Sequence, residues 1–359
     1  MSSSSDTLID WYQSNKRDLP WRKTRDPYAI WVSEVILQQT RVAQGLAYYH
    51  RFLENFPTVQ SLAAAPLDAV MKVWQGLGYY TRARNMHVAA EQVVKEHKGK
   101  FPYTYEGLRS LRGVGDYTAS AIGAFAFDIP RPAVDGNVYR IMARMFGVFT
   151  PIDTPAGQRE LYDLSMEVLD KKRPALFNQA IMDFGGTLCT PKNPACGNCP
   201  FVDSCYAFRN ACIDQLPTKS KKVKVRDRYF TYLMVRYKDF TFIHQRGEKD
   251  IWHSLYEFPL IETVKPATLK MLKKTPEWKD WFDKEKLTVL HVSEAMKHML
   301  SHQRLYAQFY ILEAKRLPYM LAQNFLQVKI DSVSGYSTPR LIDSYMAAEP
   351  VEKYFLTAL

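Results

Sequence analysis

Four of the five cysteines crowd into one short stretch, Cys189, Cys196, Cys199 and Cys205, spaced C-x6-C-x2-C-x5-C. Four thiolates in one loop can enclose a 4Fe–4S cluster, which takes one cysteine per iron. A tetrahedral zinc site uses the same donors. Zinc sites commonly pair two C-x2-4-C knuckles, and only the Cys196–Cys199 step has that spacing. An odd, clustered set of cysteines fits an intracellular metal or cluster site better than a disulfide framework. Cys212 stands outside the pattern and is expected to be a bystander.

Two carboxylates are the candidates for acid–base work. Glu34 sits in YAIWVSEVILQQT, where helical spacing gives it Ile30, Trp31, Leu37 and Gln38 as neighbours. A carboxyl on so apolar a face has its pKa raised by burial, which suits a general acid. Read alone, the segment favours a Glu at the edge of that face, reaching solvent. Asp135, in RPAVDGNVYRIM, precedes a predicted helix and reads first as an N-cap. The helix dipole there favours the ionised form. One protonated and one ionised carboxyl is the pairing that breaks glycosidic bonds.

A third motif is LRGVGDYTASAI, Leu111 to Ile122. Gly113 and Gly115 form a short turn between predicted helices at 104–111 and 116–127. Amides at the start of the second helix, with its dipole, can bind a phosphate oxygen without reading sequence. The arrangement is a helix–hairpin–helix DNA-binding signature.

The elements that carry these residues fall into two regions. Over 6–210, apolar residues recur at helical spacing in Tyr28–Leu37, Arg41–Phe56, Leu67–Val73, Ala83–Glu96 and Arg159–Leu169. The opening MSSSSDTLID reads as a short frayed tail and not as a secretory signal. Residues 216–228, LPTKSKKVKVRDR, hold six basic residues and one acid, and read as a basic linker. Beyond it, 229–237 and 240–246 read as strands around a turn at Lys238–Asp239, and 287–296 and 304–314 continue the β pattern. Helical stretches are predicted around 266–285 and 339–346. The expected fold is therefore multidomain: an all-α domain over 1–215 with its cysteine loop at 189–205, the linker, then a mixed α/β domain over 229–359.

The chain has 359 residues, 47% hydrophobic and 24% charged, which is ordinary for a soluble globular protein and argues against wholesale disorder. No apolar run is long enough to span a bilayer. Lys and Arg total 48 against 37 Asp and Glu, a formal charge of +11 that favours a polyanionic partner such as nucleic acid.

Together, SEVILQQT, QGLGYYTRARN (75–85), LRGVGDYTA, VDGNV and the cysteine spacing resemble the adenine DNA glycosylases of the MutY type, within the helix–hairpin–helix glycosylase superfamily. The resemblance covers nearly all of 8–215 in order. The second domain resembles, more weakly, that family's C-terminal domain, which is Nudix-like and helps recognise 8-oxoguanine. The resemblance implies a base-excision repair enzyme that removes adenine opposite 8-oxoguanine or guanine in double-stranded DNA. It implies a 4Fe–4S cofactor, a monomer, no membrane, and a cytoplasmic, nucleoid-associated location if the source is bacterial. Glu34 would protonate adenine N7 and help activate water. Asp135, supported by Asn137, would stabilise the cationic sugar. Tyr117 stands where the related endonuclease III family carries a Schiff-base lysine, which implies base removal without strand cleavage. Gln39 and Tyr79 match residues that enter the base stack, and Leu77 falls in the same DNA-facing segment. Arg22 and Gln179 match positions near the adenine pocket, and Leu300, Ser301 and His302 match the oxidised-guanine reader.

In isolation, Tyr79 would be read as core packing, Tyr117 as hairpin support, and Ser301–His302 as a surface pair with local turn bonds. The sequence also departs from the family pattern. Arg112 replaces a proline in the hairpin, Asp116 places an acid near phosphate that Arg112 is expected to offset, and Leu300 replaces a phenylalanine. Two rivals are an endonuclease III-like glycosylase/lyase, disfavoured by Tyr117 and the large second domain, and a non-catalytic Fe–S DNA-binding protein, which would need neither Glu34 nor Asp135. Nucleotide hydrolysis is rejected: Glu248, Glu257 and Glu262 do not form the Glu-rich metal-binding helix that chemistry requires.

Overall fold

The computed structural model describes residues 4–220, 225–248, 250–282, 285–349 and 351–355. The chain divides into two compact units, one of residues 1–65 and 85–222, the other of 66–84 and 223–359.

The first unit is helical. Its order is α1 (Ser4–Asn15), α2 (Pro27–Leu37), α3 (Val42–Asn55) and α4 (Val59–Ala64). After the excursion of 66–84 into the second unit, which holds α5 (Leu67–Trp74) and the start of α6 (Thr81–Glu96), it resumes. There follow α7 (Tyr105–Ser110), α8 (Asp116–Phe127), α9 (Gly136–Phe146), α10 (Pro155–Val168) and α11 (Pro174–Asp183). α2 begins where Asp26 accepts hydrogen bonds from the amides of Tyr28 and Ala29, with Pro27 in the first turn. Nine residues of α2, Tyr28 through Ile36, are buried. A helix apolar all round belongs inside a core, and α2 packs against α3 and α8. The frayed tail expected at the N-terminus is instead α1 from Ser4 onward. Leu8, Ile9 and Tyr12 recur at helical spacing and are buried, and Trp11 meets Phe184 edge-on at 5.2 Å.

The second unit is mixed. Strands β1 (Arg226–Arg236), β4 (Leu260–Thr263), β5 (Leu287–Val292), β6 (Met296–Met299) and β7 (Gln303–Ala314) form one sheet, ordered β4-β1-β7-β5 with β6 also on β7. β1 and β7 run parallel and the other pairings are antiparallel. β2 (Phe240–Gln245), β3 (Tyr256–Glu257) and β8 (Leu326–Lys329) form a smaller sheet. Phe230, Tyr232 and Met234 of β1 join one core cluster, while Leu233 and Val235 join another. Both faces are covered, which explains the nearly continuous apolar run of YFTYLMVRY.

The structure refines three of these expectations. The turn at Lys238–Asp239 exists, but β1 and β2 share only the Tyr237–Phe240 bridge, because β4 and β7 already occupy the two edges of β1. The linker is shorter than 216–228, since β1 starts at Arg226. Arg228 is buried and bonded to Asp250 and Glu262, so it belongs to the folded second unit and not to a linker. Lys221, Lys222 and Lys224 lie outside the described residues. β6, just before Ser301, adds a strand between the two expected β segments.

Candidate active site

Glu34 lies on the buried helix α2 and is only 6% exposed, so the edge position favoured by its own segment is not the one it takes. Packing of α2 on α8 brings Tyr117, in the first turn of α8, to it. The Tyr117 hydroxyl donates to Glu34 Oε2 at 2.7 Å. Burial pushes the Glu34 carboxyl up to about 7; the Tyr117 bond opposes this, the charge of Asp135 adds to it, and Arg22 opposes it. Tyr117 is itself held well above the ordinary tyrosine range, by burial and then by the charges of Glu34 and Asp135. It therefore remains a neutral donor. A carboxyl that titrates near neutrality can hold and release a proton at physiological pH.

Asp135 caps α9, as its place before that helix suggests. Its Oδ1 accepts from the amides of Asn137 and Val138 at 2.8 and 3.0 Å. The Asn137 side chain donates to Asp135 Oδ2 at 2.8 Å. Arg140, one turn on, donates to Asn137 Oδ1 at 2.9 Å and to the carbonyls of Gly185 and Cys189 at 2.8 and 2.9 Å. Donors on both oxygens fix the orientation of this carboxyl group. A continuous bonded path thus joins Asp135 to the backbone of the first cysteine.

Arg22 and Gln179 belong to a neighbouring network centred on a residue the sequence reading missed, Asp183. Arg22 grips Asp183 with two bonds of 2.6 and 2.7 Å, and Arg17 donates to the same carboxylate through Nε at 2.7 Å. Asp183 is fully buried; burial favours its neutral form, but the two arginines outweigh that and hold it below the usual carboxylate range. Tyr12 donates to Gln179 Oε1 at 2.9 Å. The signal available in the sequence was an acid in the otherwise apolar run AIMDFGG, with two arginines near the N-terminus to match it.

The four cysteines come together. Cys189, Cys196, Cys199 and Cys205 line one cavity with Phe184, Leu188 and Phe201; Cys212 does not line it, but packs with Ala207 and Leu216 in a small cluster against which Cys205 also rests. Burial and the neighbouring sulfurs push the Cys199 thiol up to about 11, so its ionisation calls for a cationic group at its side. Among the described residues no three His, Cys, Asp or Glu converge on a single metal-ion position. Thiols spread around a cavity suit a multi-iron cluster with one sulfur per iron better than a lone zinc. Arg144 closes the loop, donating to the carbonyls of Thr190 and Pro191 at 2.7 and 3.1 Å and to that of Leu216 at 3.0 Å. Its Nη1 also lies 3.6 Å from Cys189 Sγ. The cluster, when bound, would cross-link the loop within itself through Cys189, Cys196, Cys199 and Cys205, while Arg144 ties the loop to α9.

The hairpin holds α7 and α8 around Gly113 and Gly115. Gly113 has φ +75°, and a Cβ there would come within 2.6 Å of Asn85, so no other residue fits without displacement. Gly115 caps α8 with open space beside it. The acid at Asp116 is neutralised, but by Arg109 at 2.6 Å and the Tyr105 hydroxyl at 3.0 Å, not by Arg112. Gln39, just past α2, has φ +57°. In the second unit Tyr79 is 51% exposed with φ +47°, which removes it from the core reading, while Leu77 is buried. Leu77, Tyr79, Leu300, Ser301 and His302 line one pocket. The Tyr79 hydroxyl and Ser301 Oγ lie 2.5 Å apart. Ser301 and His302 are exposed in the turn between β6 and β7.

Comparison with known proteins places this geometry. Residues 32–162 match the HhH-GPD superfamily of base excision DNA repair proteins, 189–205 the iron–sulfur binding domain of endonuclease III, and 231–348 a NUDIX domain. An adenine DNA glycosylase of Buchnera aphidicola subsp. Schizaphis graminum is 35% identical over 271 residues, covering 75% of this chain and 78% of that protein. The chain belongs to the adenine DNA glycosylase family. Another member, from Rattus norvegicus, is 44% identical over 211 residues, 56% of this chain and 41% of its own length. Among solved structures, a thermostable thymine-DNA glycosylase superposes with a TM-score of 0.54 at 26% identity, covering 57% of this chain and 95% of that one.

As an adenine DNA glycosylase family member, the chain carries the iron–sulfur motif on its cysteine loop and a Nudix-like fold in its second unit. In that unit Glu257 and Glu262 are committed to ion pairs with Arg246 and Arg228. Among the described residues no helix is long and apolar enough to cross a membrane.

Proposed function

We propose that this glycosylase hydrolyses the N-glycosidic bond of adenine paired with 8-oxoguanine or guanine in duplex DNA, and leaves an intact abasic site. The observation that carries the reading is Glu34, buried, bonded to Tyr117 and titrating near 7, with the charge of Asp135 beside it. Adenine leaves poorly as an anion, so proton donation from Glu34 to N7 makes it a neutral leaving group. Asp135, oriented by its cap bonds and Asn137, stabilises the cation left on the sugar. Water then adds to the anomeric carbon and gives its proton to a carboxylate. Tyr117 has no amine with which to form an imine to the sugar, so strand cleavage does not follow.

The target base must leave the helix to reach a carboxyl this deep, at a cost of a few kcal/mol. Tyr79 and Gln39 fill the stack, and the amides capped by Gly115 hold phosphate. Adenine is a normal base, so its partner must license removal. 8-Oxoguanine carries a proton on N7 and an oxygen on C8, and the exposed Ser301 and His302 can pair with that edge. The protein acts as a monomer wherever the DNA lies, in the cytoplasm with the nucleoid if the source is a bacterium.

The test is excision on duplexes with A opposite 8-oxoguanine, G or T, followed by base treatment. Release from the first two, strand breaks only after base, and no borohydride-trapped adduct are expected. Release of oxidised pyrimidines with spontaneous strand breaks would overturn the reading. Ser301→Ala/His302→Ala should erode the preference for 8-oxoguanine over guanine while sparing excision at saturation; an unchanged ratio would remove those two residues from the account.

A further inference from the structure

Tyr79 stands in a turn that ordinary residues avoid. Gly76, Gly78 and Tyr79 have φ of +94°, +72° and +47°. A tyrosine persists in left-handed backbone only where its surroundings over-determine it. The contacts that do so converge from three side chains. Trp74 Nε1 donates to the Gly78 carbonyl at 3.2 Å, and the Tyr80 hydroxyl accepts from the Gly76 amide at 3.2 Å. Arg82 Nη2 donates to the carbonyls of Gly78 and Leu77 at 3.1 and 3.4 Å.

Arg82 makes a second kind of contact. Its guanidinium lies over the Trp74 ring at 5.1 Å and over the Tyr79 ring at 5.7 Å. Trp74 is fully buried and therefore immobile, whereas Tyr79 is half exposed. The cation thus ties an exposed ring to an anchored one and pins the carbonyls on either side of the bend. Burial lowers the Arg82 pKa to about 10, which leaves it charged at neutral pH. A planar fork can stack and donate at once; a lysine ammonium cannot.

We propose that Arg82 is the positioning residue that holds Tyr79 ready for insertion into the base stack. The proposal rests on the reading of Tyr79 as a wedge. Arg82 does not touch the reacting atoms; it acts through the ring and the turn. Without it, the ring loses its cationic neighbour and the turn loses two carbonyl bonds, so the wedge-ready state becomes one of several.

The test is a double-mutant cycle on the full-length protein in a Glu34→Gln background, reading base flipping by 2-aminopurine fluorescence beside the target adenine. Tyr79→Ala must first weaken flipping. Arg82→Ala should then weaken it about tenfold or more when Tyr79 is present and hardly at all in Tyr79→Ala. Arg82→Lys should recover little, and both Arg82 variants should leave the salt dependence of DNA binding unchanged. An equal loss from Arg82→Ala in both backgrounds, or a salt slope reduced by about one, would make Arg82 a phosphate contact and overturn the proposal. No effect of Tyr79→Ala would instead overturn the wedge reading. If Arg82→Ala unfolds, Arg82→Lys carries the same cycle.

Discussion

Replacing Tyr117 by Phe should move the pH dependence of excision upward. The carboxyl of Glu34 titrates near 7 because burial raises it and Asp135 adds to that, while the Tyr117 hydroxyl and Arg22 pull it down. A general acid is active when protonated, so the wild-type rate should fall as pH rises through about 7. The hydroxyl at 2.7 Å stabilises the carboxylate more than the acid. Hydrogen bonds to charged groups are worth about 1.5–3 kcal/mol and neutral ones about 1. The difference, about 0.5–2 kcal/mol and centred near 1.3, corresponds to roughly one pH unit. At pH 8 the protonated share should therefore rise from about a tenth to about a half. The assay is single-turnover excision at saturating enzyme from pH 5.5 to 9.5, fitted for its midpoint. The plateau can drop, since Tyr117 also orients Glu34, but the midpoint is independent of that loss. A midpoint that stays in place or moves down would refute the electrostatic account of the acid.

Glu34→Gln should stabilise the protein at high pH. A carboxyl raised from 4.5 to about 7 on folding contributes stability that is intact below about 4.5 and lost as pH climbs through 7, a span worth about 3 kcal/mol. The gain in melting temperature over wild type should be larger at pH 8 than at pH 5, and equal gains would contradict it. Arg140→Gln removes donors to Asn137, Gly185 and Cys189, so single-turnover excision should fall at least about tenfold with iron content retained; an unchanged rate would show that Asp135 is held without it. Cys199→Ser should bleach the brown colour expected of about four irons per chain and expose 189–205 to protease; one zinc and no iron in anaerobically purified wild type would sink the cluster assignment.

Much of the first unit was legible because its chemistry is written locally. The cysteine spacing, the Gly-Val-Gly turn and the N-cap at Asp135 each depend on residues a few positions apart. Glu34 shows where local reading stops. Its own segment placed it at an edge, and its burial follows from α8 covering that side of α2, a contact between positions far apart in sequence. Asp183 was missed for the same reason, since its partners Arg17 and Arg22 lie at the other end of the unit. The hairpin acid was recognised but given the wrong partner: Arg112 is nearer in sequence, four positions away, while Arg109, seven away, is the one that reaches Asp116. In the second unit β1, β2, β5 and β7 were legible from composition, but the short β3, β4, β6 and β8 and the sheets they join were not, because two to four residues show too little alternation and alternation does not say which edge is free.

The central claim is that a buried Glu34 delivers the proton that releases adenine. Its most direct test is single-turnover release of adenine opposite 8-oxoguanine by wild type and Glu34→Gln, with DNA affinity measured in parallel. The account predicts that the amide abolishes release while affinity stays within a few fold of wild type. Release by Glu34→Gln at near the wild-type rate would contradict it.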